Sequence, residues 1–137
     1  MTGAPTLPAR AAAELDALRD QLDGALATPG DPTYDALRAS WNLTADQRPA
    51  LVVEPADADG VVAALAFARA HGLTVAVQAT GHGAAETCEG GLLVRTGRLR
   101  EVTVDPATRT ARIGGGAQWT DVLPHTAPLG LAPPLGF

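Results

Sequence analysis

The sequence predicts an α+β fold with a small parallel βαβ core, a β-hairpin layer and helices at the N-terminus. Three observations carry this expectation. An apolar triplet, Leu51-Val52-Val53, is followed by a helix-spaced stretch and then by a second apolar run from Leu73 to Val77. A crossover of that length makes the two strands parallel and the connection right-handed. Further on, Val102, Val104, Thr108, Thr110 and Ile113 alternate about Asp105-Pro106, which fits a type I turn at the tip of a hairpin.

Taken in order, the elements begin with Leu15, Leu18, Leu22 and Leu26, whose spacings of three and four predict one face of a helix from about Ala9 to Leu26. Thr28-Pro29-Gly30 stops that helix. Asp31-Pro32 then reads as an N-cap and first-turn proline, opening a short helix that buries Tyr34, Leu37 and Trp41. These helices read as a lid or strap packed on the βαβ core. Glu54-Pro55 ends the first strand, Asp57 or Asp59 caps the next helix, and Val61, Leu65 and Ala68 form its buried face. His71-Gly72 closes it, with Gly72 suited to a left-handed C-terminal position. Gln78 to Gly91 is a loop without periodicity, and Leu92-Leu93-Val94 is a third strand. Gly114-Gly115-Gly116 follows the hairpin and leads into a helix from about Gln118 to His125. The remainder is rich in Pro, Gly and Leu, and the apolar Leu129, Leu131, Leu135 and Phe137 at its end read either as a chain that ends on a buried residue or, at least as well, as an interrupted domain.

At 137 residues the chain is one domain or part of one. Net charge is -5, and all ten basic residues are scattered arginines. Even the tightest group, Arg95, Arg98 and Arg100, reads as solvated surface rather than a nucleic-acid or polyphosphate patch. No apolar run is long enough to span a bilayer, and Met1 to Asp16 lacks a signal pattern, so a cytoplasmic protein without membrane contact is expected. Cys88 is alone, which excludes an internal disulfide and fits a reducing compartment.

The segment most able to hold a ligand is the loop Gln78-Ala79-Thr80-Gly81-His82-Gly83-Ala84. It comes directly after a buried parallel strand, and ligands of open α/β sheets gather outside the carboxyl ends of such strands. Gly81 and Gly83 let backbone approach a ligand closely, and successive N–H groups in such a turn form a nest for an anion such as pyrophosphate. The loop has no arginine, so backbone donors would do this work, with Glu86 and Glu89 pointing away. The alternative is a tight surface turn with an incidental histidine. Gly114-Gly115-Gly116 fails as a dinucleotide fingerprint, since Trp119 stands where a glycine is needed, and reads better as a close-packed turn. His71, His82, His125 and Cys88 show no metal-ligand spacing; His71 and His125 read as helix-end or surface residues. No Ser-His-Asp constellation can be assembled, so a catalytic residue stays unassigned.

Residues 48–136, from "RPALVVEPADADGVVAALAFARAHGLTVAVQATGHGA" through "GGLLVRTGRLREVTVDPATRTARIGGGAQWTDVLPHTAPLGLAPPLG", resemble the FAD-binding domain of the vanillyl-alcohol oxidase/p-cresol methylhydroxylase (PCMH) superfamily, in its berberine-bridge-enzyme-like branch. Tyr34 and Trp41-Asn42 match the segment preceding that domain, and Gly81-His82-Gly83 is the most specific part. The resemblance implies a PCMH-type FAD-binding fold over residues 46–137, preceded by a helical segment over 1–45. It implies that Ala79, Thr80, Gly81, His82, Gly83 and Ala84 bind FAD, with the backbone N–H groups of 80–84 on the diphosphate and His82 joined to the flavin 8α-methyl carbon. A neutral imidazole nitrogen is a good nucleophile near pH 7, which suits that bond. A second flavin link through cysteine occurs in relatives at a later segment, so Cys88 does not inherit it. The implied activity is oxidation of an alcohol, sugar or similar small-molecule electron donor. Relatives carry substrate contacts and catalytic bases in a later substrate domain, so this chain alone is expected to be incomplete and inactive. The other readings are a truncated remnant that binds no flavin and a nucleotide-binding regulatory module built on the Gly114–Gly116 turn.

Overall fold

A computed structural model describes residues 5–84 and 87–134. In chain order the elements are α1 (Ala9–Ala13), α2 (Leu15–Gln21), β1 (Gly24–Ala27), α3 (Tyr34–Arg38), β2 (Leu51–Pro55), α4 (Ala58–His71), β3 (Val75–Gln78), β4 (Leu92–Arg95), β5 (Val102–Asp105), β6 (Thr110–Ile113) and α5 (Trp119–Thr126). A 3-10 turn over Ala127–Leu129 comes last. No helix among the described residues is long and apolar enough to cross a membrane.

Leu51, Val52 and Val53 are apolar in succession because β2 is covered on both faces, and none of the three has exposed surface. The crossover through α4 leads to β3, and β4 inserts between β2 and β3, parallel to both. β1 adds antiparallel to the other side of β2, giving the order β1-β2-β4-β3. On one face Leu51, Val53, Leu92 and Val94 pack beneath Ala64, Phe67 and Ala68 of α4, with Ala11 and Leu18 alongside. On the other, Val52 and Leu93 meet Ala27, Tyr34 and Cys88. Asp57 caps α4 by accepting from Gly60 N at 2.8 Å, and Gly72 ends it at φ +65°.

Four local expectations are corrected. The first helix does not run to Leu26: it breaks at Glu14 and stops at Gln21, and Gly24–Ala27 is strand β1. A Cβ on Gly24 would lie 2.3 Å from the Glu54 carbonyl oxygen, so this crossing of two backbones requires glycine. Leu22 and Leu26 nevertheless pack on the same core as Leu15 and Leu18, which is why their spacing imitates one helical face. Trp41 is not buried; it is 80% exposed, beyond the end of α3. Asp31 does not cap α3, whose N-cap is Thr33; its carboxylate instead accepts from the backbone and hydroxyl of Thr28 at 2.7 and 2.9 Å. The buried face of α4 is Gly60, Ala64, Phe67 and Ala68, while Leu65 stays 44% exposed. Small residues on that face let α4 lie close to the sheet; a Cβ on Gly60 would sit 2.9 Å from Pro55 Cβ.

The hairpin forms a separate antiparallel sheet of β5 and β6. Asp105 shapes its tip, accepting from Ala107 N at 2.9 Å and Thr108 Oγ1 at 2.6 Å. The glycine run after β6 is a packing turn: a Cβ on Gly114 would lie 2.2 Å from the Leu99 carbonyl oxygen, and one on Gly116 1.8 Å from that of Thr96. α5 opens with a capping box between Gln118 and Asp121. Leu135 and Phe137 lie outside the described residues.

Candidate functional site

The strand before the loop, β3, is not the buried strand expected: it is the sheet's edge, with Val75 40% and Val77 68% exposed, and the loop after it is anchored at its root. Gln78 is buried; its side-chain amide donates to the Ala39 carbonyl at 3.1 Å and accepts from the Gln47 amide. Arg95 pairs with Gln78 across the β3–β4 ladder, and its Nη1 donates to the carbonyls of Leu37 and Ala39 at 2.8 and 2.7 Å. The expectation that Arg95 is a solvated surface residue is therefore corrected: it is half-buried and ties the end of α3 to the sheet. Two strand-end side chains thus converge on the Ala39 carbonyl, which is where the chain turns to run beside the loop.

Beyond Gln78 the loop lies along the segment Ser40-Trp41-Asn42. The Thr80 carbonyl accepts from Trp41 N at 2.9 Å, and the Gly81 carbonyl accepts from Asn42 N at 3.4 Å and Ala84 N at 3.3 Å. The Ala84 carbonyl accepts from Asn42 Nδ2 at 3.3 Å. By contrast, the N–H groups of Thr80, Gly81 and Gly83 have no hydrogen-bond partner among the described residues. Carbonyls committed to one side with several N–H groups free is the arrangement of an anion-binding nest. A groove of about 260 Å³ runs along the loop, between Ala76, Gln47 and residues 78–84.

The two glycines serve different ends. Gly81 sits at φ +78°, and a Cβ there would come within 2.6 Å of Ser40 Cβ and 2.9 Å of Gln78 Cδ, so the fold itself requires it. Gly83 is not in the left-handed region, and a Cβ on it would meet nothing within 4 Å. Gly83 is also one of the residues that line the groove. His82 between them is exposed, with Nδ1 2.8 Å from the Thr80 hydroxyl. Glu89 is exposed, and Glu86 lies outside the described residues.

The other candidates are dispersed. His71 is in the last turn of α4 with its side chain only 2% exposed, and Nε2 lies 3.3 Å from the Glu14 carboxylate without hydrogen-bond alignment. Arg10 beside Glu14 holds that carboxyl below its ordinary range. His125 is exposed on α5, and Cys88 is a free buried thiol whose pKa burial raises. No cluster of three or more His, Cys, Asp or Glu that could hold a metal ion occurs among the described residues. Sequence reading found the loop but not its supports. Gln47 and Ser40 gave no motif, and Asn42 entered only through its neighbour Trp41.

A sheet with a parallel β2, β4 and β3 core, followed by a glycine-flanked turn with unpartnered N–H groups, defines an α+β domain whose geometry suits an anionic ligand. The chain belongs to the FAD binding domain family, whose model matches residues 49–137, and its cofactor is FAD. An FAD-linked oxidoreductase of Dictyostelium discoideum is 30% identical over 118 residues, covering 85% of this chain and 26% of that protein. (R)-6-hydroxynicotine oxidase of Paenarthrobacter nicotinovorans matches to the same extent, 30% over 118 residues. The crystal structure of 6-hydroxy-D-nicotine oxidase from Arthrobacter nicotinovorans superposes with a TM-score of 0.71 at 29% identity, over 80% of this chain and 24% of that one. The chain thus spans about a quarter of the length of the curated relatives it matches. The PCMH-type fold expected from the sequence is the observed one.

Proposed function

We propose that the loop Ala79–Ala84 receives FAD, with the N–H groups of Thr80, Gly81 and Gly83 on its diphosphate and His82 presented for a covalent bond to the flavin 8α-methyl carbon, which would give up a C–H bond as a proton with the electron pair taken up by the flavin ring. The observation that supports this is a division of the loop's polar groups: the Thr80, Gly81 and Ala84 carbonyls accept from the 41–42 segment, and the N–H groups of Thr80, Gly81 and Gly83 are left without partners among the described residues. The residues fit the cofactor. Unpartnered donors suit a diphosphate, and the open space at Gly83 admits close approach of a ligand to backbone. Residues 46–137 form the FAD-binding unit on this reading, and the segment over 1–45, expected to be helical, braces it with helices and with β1 on the sheet edge.

The whole protein acts as an oxidoreductase toward a small-molecule donor such as an alcohol or sugar. When bound, the flavin supplies the hydride-accepting chemistry, and this chain's residues bind and orient it. No side chain of the chain is assigned as the base that takes the donor's proton. The relatives' names, FAD-linked oxidoreductase and hydroxynicotine oxidase, support the reaction class.

The test is acid denaturation of the full-length gene product and its His82→Ala variant, followed by flavin absorbance in the washed precipitate. The parent precipitate keeps its flavin and that of His82→Ala is colourless. Equal flavin in both removes His82 from the role.

A further inference from the structure

We infer that Asn42 is a positioning residue for the cofactor, fixing the shape of the turn that carries the unpartnered Gly83 N–H by holding the Gly81 and Ala84 carbonyls that bracket it. The inference rests on the reading of the loop as the diphosphate site. Asn42 lies 39 or more positions earlier in the chain than the loop residues it touches, so no local turn explains the contacts. Its backbone N–H donates to Gly81 O at 3.4 Å, and its Nδ2 donates to Ala84 O at 3.3 Å. One residue therefore grips both ends of the Gly81–Ala84 turn.

The orientation of the amide is set from the other side. Asn42 Oδ1 accepts from Thr44 N at 3.2 Å and from Thr44 Oγ1 at 2.6 Å. Two donors on the oxygen leave only Nδ2 to face the Ala84 carbonyl, and a flipped amide would set oxygen against oxygen. The Asn42 carbonyl accepts from Ser40 Oγ at 2.6 Å and Ala45 N at 3.0 Å, so the residue has little freedom to turn. A peptide plane whose carbonyl is pinned outward must present the next N–H to the opposite side, because C=O and N–H of one trans peptide point in opposite directions. Pinning Gly81 O thus affects the direction of His82 N–H, and pinning Thr80 O, through Trp41 N, the direction of Gly81 N–H. The amide of Asn42 adds the constraint at the far end of the turn, just past Gly83. A carboxylate at this position keeps the Thr44 contacts but repels the Ala84 carbonyl and adds a negative charge beside a diphosphate site.

The experiment compares the flavin-free full-length gene product with its Asn42→Asp, Thr44→Ala, Leu43→Ala and Gly83→Val variants. Dissociation constants are measured for FAD, ADP and riboflavin, together with the unfolding midpoint without ligand. Asn42→Asp is expected to weaken FAD and ADP by about tenfold or more and to leave riboflavin and the unfolding midpoint near parent values. Thr44→Ala, which removes one of the two donors that orient the amide but keeps Asn42, weakens FAD and ADP by a few-fold. Leu43 is 83% exposed on the same segment, and its truncation leaves all three ligands unaffected. FAD and ADP affinities at parent level in Asn42→Asp overturn the inference. If that variant does not fold, parent-level affinities in Thr44→Ala overturn it instead. Equal weakening of riboflavin and ADP in either variant also overturns it, since a diphosphate-directed role predicts a difference. Gly83→Val separates the two levels. Loss of FAD there with parent affinity in Asn42→Asp leaves the loop reading standing, and FAD retained in Gly83→Val removes the loop reading itself.

Discussion

The Thr80 hydroxyl lies 2.8 Å from Nδ1 of His82, while Nε2 of the same ring has no partner among the described residues. When Nδ1 carries the ring proton and Thr80 accepts it, Nε2 keeps its lone pair and is the nitrogen able to form a bond to carbon. The Thr80 oxygen also faces the positive charge that the ring acquires as that bond forms. The flavin link is therefore expected at Nε2. Thr80→Val should lower the fraction of acid-stable flavin several-fold while FAD is still retained on a native sizing column. Proteolysis and NMR of the flavin peptide identify the nitrogen, and a bond at Nδ1 would contradict the arrangement.

The two glycines of the loop should separate in their effects. Gly81→Ala places a Cβ in the left-handed region and against Ser40, so it should cost about 1–3 kcal/mol of stability. Gly83→Val meets open space and should leave the unfolding midpoint nearly unchanged while flavin loading falls sharply. Chemical denaturation of the apoprotein and the ratio of flavin to protein absorbance measure the two quantities. A reversed pattern, with Gly83→Val the unstable variant, would show that Gly83 serves the fold.

Tyr34 is expected to matter through its hydroxyl. It is 8% exposed and donates to the Pro49 carbonyl at 2.7 Å, tying α3 to the start of β2. Tyr34→Phe leaves a buried carbonyl without its donor and should cost about 1–3 kcal/mol. Equilibrium urea unfolding of both proteins reads this directly, and an unchanged midpoint would mean that water replaces the hydroxyl.

The sequence was legible where one interaction dominates. Leu51-Val52-Val53 and Leu92-Leu93-Val94 are apolar without alternation because both faces of a central parallel strand are buried. The Gly72 stop and the Asp57 cap arise from local backbone needs alone. β1 was illegible because Leu22 and Leu26 satisfy a helical face and a strand lying on the same core equally well. The requirement that distinguishes them, the 2.3 Å approach at Gly24, involves Glu54, thirty positions away. The site divides likewise. His82 and its glycines are contiguous and carry a motif, whereas Asn42, Gln47 and Arg95 reach the loop only through the sheet order and the path of the 39–42 segment. Polar residues with no periodicity give no sequence signal of which carbonyl they serve.

Asp121 should contribute to the acid sensitivity of the C-terminal part. Its carboxylate accepts from Gln118 N at 2.8 Å and takes a bidentate contact from Arg100 at 2.8–3.0 Å. The backbone hydrogen bond, and after it the Arg100 guanidinium, hold its pKa below the ordinary 3.8. A carboxyl depressed in the folded state binds its proton more readily when unfolded, so its stabilising effect is present above about pH 4 and is lost as pH falls through the folded value. Asp121→Asn should therefore lower the unfolding midpoint at pH 7, with the difference from the parent shrinking as pH falls below about 4. High salt should reduce only the Arg100 share of the effect, because the cap to Gln118 is a short-range hydrogen bond and the Arg100 pair is exposed to screening. Thermal unfolding of both proteins from pH 3 to pH 7, at low and high ionic strength, provides the measurement. A difference that stays constant across that range would show that residue 121 acts through packing and that neither its charge nor its cap contributes.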